Sequence, residues 1–137
     1  MIRVVLDTNI VVSAMLSPSR TAADVLRLAL HRRVQLCVSD AILEEYEGVL
    51  RRPKFRRPSH LVSALMKAVR ATAETVAPTE TLTVSADEAD NRFLECAKAA
   101  SADYIVTGNL QHFPRTLGRT RIITARQLVE IVTPSPV

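Results

Sequence analysis

An apolar run, Val4-Val5-Leu6, ends on a carboxylate at Asp7. The run does not alternate with polar residues, which predicts a strand buried on both faces. Asp7 then stands at the strand's carboxyl end, where an open parallel sheet has its ligand crevice. A charge placed there costs free energy unless a metal ion, a Lys or Arg, or helix N–H groups meet it. Asn9 follows two residues on and can support the same spot. Two more acids can reach that crevice. With about 100° per helical residue, Ile42, Leu43, Tyr46, Val49 and Leu50 share one apolar face of a helix over Ala41 to Arg52. Glu45 borders that face, whereas Glu44 points to the opposite side. In a helix from Asp87 to Ala100, the apolar face is Phe93, Leu94, Ala97 and Ala100. Asp90 falls on this face. Asp87 lies at its border, where it also complements the helix dipole. Glu88 and Glu95 fall on the far side. After a strand over residues 103–107 come Thr107-Gly108-Asn109. The side chains of Thr107 and Asn109 suit water or the outer shell of a metal, or else an ordinary turn.

Asp7, Glu45 and Asp90 thus come from distant parts of the chain toward one end of the sheet. Oxygen-rich acid clusters suit Mg²⁺ or Mn²⁺. Such an ion serves in-line phosphoryl displacement by water. His31, His60 and His112 show no ligand spacing and read as surface or packing residues. No Ser or Cys stands in a nucleophile setting. Gly48, Gly108 and Gly118 are the only glycines, too few for a phosphate-cradling loop.

The elements that position these residues follow from the pattern. Strands are expected at residues 4–6, 35–38, 82–84, 103–107 and 121–123. Helices are expected over 10–16, from about residue 20 to His31, from Ala41 to Arg52, from Ser59 to about Thr75, from Asp87 to Ala100, and from Thr124 to Val132. Ser19 or Thr21, Ser39 or Asp40, Ser59 and Thr124 are the expected caps. Alternating strands and helices predict an α/β fold, a three-layer α/β/α sandwich with a mainly parallel central sheet. The 137 residues form a single domain, ordered from about 2 to 132, with a frayed tail at 133–137. Hydrophobic residues are 47% and aromatics 4%, so the core is aliphatic. Cys37 and Cys96 read as reduced core thiols. No signal-peptide pattern or membrane-length apolar run occurs, which places the expected location in the cytoplasm, away from membranes. The net charge of +4 is uneven: Arg51, Arg52, Lys54, Arg56 and Arg57 crowd one loop between two helices. Such a patch attracts nucleic-acid phosphates, or is an ordinary solvated loop.

Four segments together resemble PIN-domain proteins, in the branch of toxin–antitoxin toxins. They are Val4 through Asn9, Ser39 through Leu50 with Glu45, Asp90 through Ala97, and Ala102 through Asn109 with Phe113 beyond. The resemblance spans about residues 2–132. It implies a Rossmann-like sandwich and an endoribonuclease dependent on Mg²⁺ or Mn²⁺ and active on single-stranded RNA. It also implies homodimerisation and, less directly, an antitoxin partner. By position it assigns Asp7, Glu45 and Asp90 to the acidic site and Thr107 to the hydroxyl before a fourth acidic position. That fourth position is Asn109, an amide that can ligate but carries no charge. A competing reading is a non-catalytic or weakly active RNA-binding or regulatory module whose site has decayed at Asn109. A haloacid dehalogenase-like phosphatase fits less well, since it requires a second Asp where Asn9 stands.

Overall fold

The computed structural model describes residues 1–18 and 20–133. The chain runs β1 (Arg3–Leu6), α1 (Thr8–Leu16), α2 (Thr21–Leu30), β2 (Gln35–Val38), α3 (Asp40–Leu50), α4 (Ser59–Thr72), β3 (Glu74–Thr75), α5 (Glu88–Ala100), β4 (Tyr104–Val106), β5 (Thr116–Leu117), β6 (Thr120–Ile123) and α6 (Ala125–Val132). Among the described residues the strands form one sheet in the order β3-β2-β1-β4-β6-β5. All neighbours are parallel except β5 and β6. The mainly parallel α/β architecture expected from the pattern is the one observed.

Val4, Val5 and Leu6 have no exposed surface, as befits a central strand covered on both faces. From β1 the chain winds outward through β2 to β3, then returns through α5 to β4 on the other side of β1. Right-handed crossovers taken in opposite directions put their helices on opposite faces. α5 accordingly lies across β1, β2 and β4, while α2 packs on α1 and on α6. The reversal between β1 and β4 is a topological switch point. The carboxyl ends of these two strands therefore frame a crevice that no helix covers. The register Leu6↔Val106 brings Asp7 and Thr107 to the same level across it.

Caps behave as oxygen acceptors for orphan helix amides. Ser39 Oγ accepts from the Ile42 amide, Asp87 Oδ1 accepts from the Ala89 amide, and Thr124 closes a capping box with Gln127. Ser59 and Thr21 instead become the first residues of their helices, behind Pro58 and Arg20; Ser19 lies outside the described residues. The tail expected to fray, residues 133–137, is described only at Thr133.

The expected strand at residues 82–84 is not formed. The edge strand is Glu74–Thr75, where the helix pattern was expected to end. Ala73 leaves α4 with extended dihedrals, and Cys37 and Val38 pair with Glu74 and Thr75. An ion pair from Arg3 Nη1 to Glu74 Oε2 at 2.8 Å secures this edge. The segment from Ala77 to Ser85 instead lies along α5, held by side chains. The Leu82 amide donates to Glu95 Oε2 at 2.7 Å, and Asn91 exchanges two hydrogen bonds with the Ser85 backbone at 2.8 and 3.0 Å. Glu95, expected on the solvent side, is therefore 8% exposed. β5 was also not foreseen; it is a two-residue strand joined to β6 through Gly118, whose φ of +57° suits glycine in a tight turn. Cys37 and Cys96 are buried free thiols.

Candidate active site

The crevice at the switch point holds a cavity of about 380 Å³. Asp7, Glu45, Asp90 and Asn109 all line it, together with Asn9 and Asp87. Each arrives by a different route. Asp7 is the residue between β1 and α1, and its amide donates to the Val106 carbonyl at 2.9 Å. Thr107 is fully buried at the end of β4, and its hydroxyl donates to Asp7 Oδ2 at 2.7 Å. The same hydroxyl accepts the Asn109 amide at 3.0 Å. Thr107 is thus a strut that fixes Asp7 against the Asn109 turn. Asn9 Oδ1 accepts the Gly108 amide at 3.3 Å, a second tie between the two strand ends.

α3 carries Glu45 to the same wall. Tyr46, next to it, is fully buried, and its hydroxyl donates to the Leu6 carbonyl at 2.5 Å. That bond locks α3 to the strand end immediately before Asp7. Glu45 is half-buried in the cleft and Glu44 is exposed, the division their helical positions predict. On α5, Asp90 is 7% exposed, whereas Asp87 is exposed and occupied as the N-cap.

The electrostatics follow from this placement. Burial pushes the Asp7 carboxyl above its ordinary value. The Thr107 hydroxyl, then the Thr8 and Asn9 amides and the His112 ring, oppose that rise. Asp90 is pushed up to about 6, first by burial, then by the negative charges of Asp87 and Asp7, with Glu45 adding to them and His112 opposing. Among the described residues no Lys or Arg pairs with Asp7 or Asp90. Asp90 Oδ2 is buried without a hydrogen-bond partner. An acceptor in that position is costly unless a cation or donor meets it. Its orphaned oxygen and the all-oxygen acid set fit a hard divalent cation. No three His, Cys, Asp or Glu side chains among the described residues form a closed ligand cluster. The acids line one cleft without closing into a compact ligand set.

The basic loop divides. Arg51 is engaged internally, with Glu47 Oε2 at 3.0 Å and the hydroxyls of Ser59 and Ser63 at 2.9 Å each. It ties α3 to α4 and does not present a free cation. Arg57 donates to the Phe55 carbonyl at 3.1 Å. Arg52, Lys54 and Arg56 make no side-chain hydrogen bond or ion pair to described residues. Arg52 and Phe55 line the acidic cavity itself. Lys54 Nζ sits 5.1 Å from the Phe55 ring centroid.

His112 was not anticipated at the site. It lines the cavity, with Nδ1 3.8 Å from Asp90 Oδ2. Its only sequence signal is its place three residues after Asn109. The chain turns there through a 3₁₀ helix, Leu110–His112, which helical or strand periodicity does not reveal.

Among the described residues no helix is long and apolar enough to cross a membrane. The chain is 28% identical over 111 residues to the uncharacterized protein MJ1680 of Methanocaldococcus jannaschii, covering 79% of this chain and 71% of that one. Its fold resembles a chain in the crystal structure of VapBC2 from Rickettsia felis bound to a DNA fragment from their promoter. The TM-score is 0.58 at 16% identity, over 90% of this chain and 98% of that one. The family model for the PIN domain matches residues 3–111. The chain belongs to the PIN domain family, whose members are generally nucleases.

Proposed function

We propose that this protein is an endoribonuclease that hydrolyses phosphodiester bonds of single-stranded RNA with Mg²⁺ or Mn²⁺. We further propose that it acts as the toxin of a toxin–antitoxin pair. The observation that carries the reading is the orphaned, buried Asp90 oxygen in a cleft shared with Asp7, Glu45 and Asn109. These four residues would hold the ion. A bound divalent ion supplies charge neutralisation and Lewis acidity for attack of water on phosphorus. The chain's own residues do the positioning. Thr107 and Tyr46 hold the Asp7 end of β1 rigid, and Glu45 completes the acid wall from α3. Arg52 offers a cation to the phosphate backbone at the cleft rim. Phe55 beside it offers a ring to an unstacked base, which supports a single strand over a duplex. The likeness in fold to a chain of a VapBC2 complex supports an antitoxin partner.

Asn109 favours one second reading. An uncharged amide at the fourth position weakens the hold on a cation, which fits an RNA-binding module with little or no cleavage. Incubation of purified protein with mixed single-stranded RNAs, in Mg²⁺, Mn²⁺ or EDTA, separates the two. The nuclease reading expects metal-dependent cleavage that Asp7→Asn and Glu45→Gln abolish and Glu44→Gln leaves intact. RNA binding without cleavage in any metal would establish the module. Cleavage that persists in the Asp7→Asn protein would remove Asp7 from the chemistry.

A further inference from the structure

We propose that His112 supplies an imidazole nitrogen to the divalent ion and so tilts this site from Mg²⁺ toward Mn²⁺. The inference rests on the metal-dependent reading of the cleft and concerns a residue that reading does not use. Four observations support it. First, His112 Nδ1 stands 3.8 Å from Asp90 Oδ2, too far for a hydrogen bond. Two donors sharing one ion at about 2.0–2.2 Å each lie roughly 3 Å apart when adjacent and about 4.3 Å apart when opposed. The observed 3.8 Å lies between the two, so a turn of the ring that closes the pair by under an ångström gives the adjacent spacing. Second, Asp90 Oδ2 has no other partner, and its side chain is 10% exposed. Third, the ring side chain is 51% exposed on the cavity wall, so it can turn toward an ion without unpacking the core.

Fourth, the backbone of His112 is anchored to the element that carries Asp90. Its amide donates to the Asn109 carbonyl at 3.0 Å. Its carbonyl accepts the Ser85 hydroxyl at 3.2 Å, and Ser85 is clasped by the fully buried Asn91, the residue after Asp90. This network places His112 relative to Asp90 far more firmly than a loop residue on a bare turn. The chemistry supplies the reason for a nitrogen. Asn109 leaves the acid set one charge short of four. Neutral imidazole adds a strong donor without adding repulsion among the carboxylates. Mg²⁺ takes oxygen ligands by preference, whereas imidazole binds the transition ions better.

The experiment is pulsed electron paramagnetic resonance on the full chain loaded with Mn²⁺, compared with protein carrying ¹⁵N-labelled histidine and with His112→Gln. Titration calorimetry with Mn²⁺ and Mg²⁺ accompanies it. The expected result is nitrogen modulation in the unlabelled protein that changes isotope on labelling and vanishes in His112→Gln. Mn²⁺ affinity should fall about tenfold or more in that variant, since losing an outer-shell partner alone costs at least that much, and Mg²⁺ affinity about twofold or less. Tight Mn²⁺ binding without nitrogen modulation would overturn the role of His112 and leave the nuclease reading standing. Modulation that survives His112→Gln would do the same. Absence of Mn²⁺ binding to the unaltered chain would retire the metal reading together with this inference.

Discussion

Asp90→Asn should make the metal-free protein more stable at neutral pH. The folded state holds the Asp90 proton up to about pH 6, against an ordinary 3.8. A raised carboxyl pKa means that this group favours the folded state below 3.8 and progressively less as the pH climbs to 6. Above 6 the whole deficit is present. The gap between 3.8 and about 6, at about 1.4 kcal/mol per pH unit, sets a ceiling of about 3 kcal/mol. The amide has the same shape and no charge. A gain of about 1–3 kcal/mol is therefore expected at pH 7.5. For a chain of this length 1 kcal/mol moves the melting temperature by about 3–4 °C, so the shift is about 3–12 °C. Thermal melts in EDTA at pH 4.5 and 7.5 measure it. The variant should melt well above the unaltered protein at pH 7.5 and much nearer to it at pH 4.5. Some pH slope should remain, because burial raises Asp7 in the same direction. Added Mn²⁺ should narrow or reverse the ranking, since only the unaltered chain keeps a charged ligand at position 90. A variant that melts no higher than the unaltered chain at pH 7.5 would show that Asp90 carries no electrostatic burden that a cation could relieve.

Two further outcomes test the same cleft. Asn109→Asp should tighten Mn²⁺ binding about tenfold, on the order of 1.4 kcal/mol, and lower metal-free stability; equal affinity and equal melting by calorimetry would place residue 109 outside the ion's reach. Replacing Arg52, Lys54 and Arg56 with Gln should weaken RNA binding and flatten its salt dependence without loss of stability. Arg51→Gln should instead cost about 1 kcal/mol in denaturant melts, because it breaks the tie between α3 and α4.

Local rules were enough for much of this protein. An unbroken apolar run marks a central strand because no polar side chain interrupts its two buried faces. Helical spacing separated Glu45 from Glu44 and put Asp90 on the inward face of α5, because side-chain direction in a helix depends on residue number alone. The parallel α/β class followed from the alternation of elements. Other features depended on neighbours distant in sequence. Glu95 looks solvent-facing in a helical projection, and it and Asn91 are buried because the segment from Ala77 to Ser85 crosses that side of α5. Glu74–Thr75 is a strand because β2 offers an edge to pair with, not because two residues carry a strand pattern. Arg51 reads as one more cation of the loop until α4 supplies Ser59 and Ser63 as its partners. His112 reaches Asp90 across 22 positions of sequence, by a 3₁₀ turn that has no periodicity to read. Periodicity encodes which way a side chain points from its own backbone. Only packing decides what it meets, and the charge state of Asp7 and Asp90 is set by that encounter.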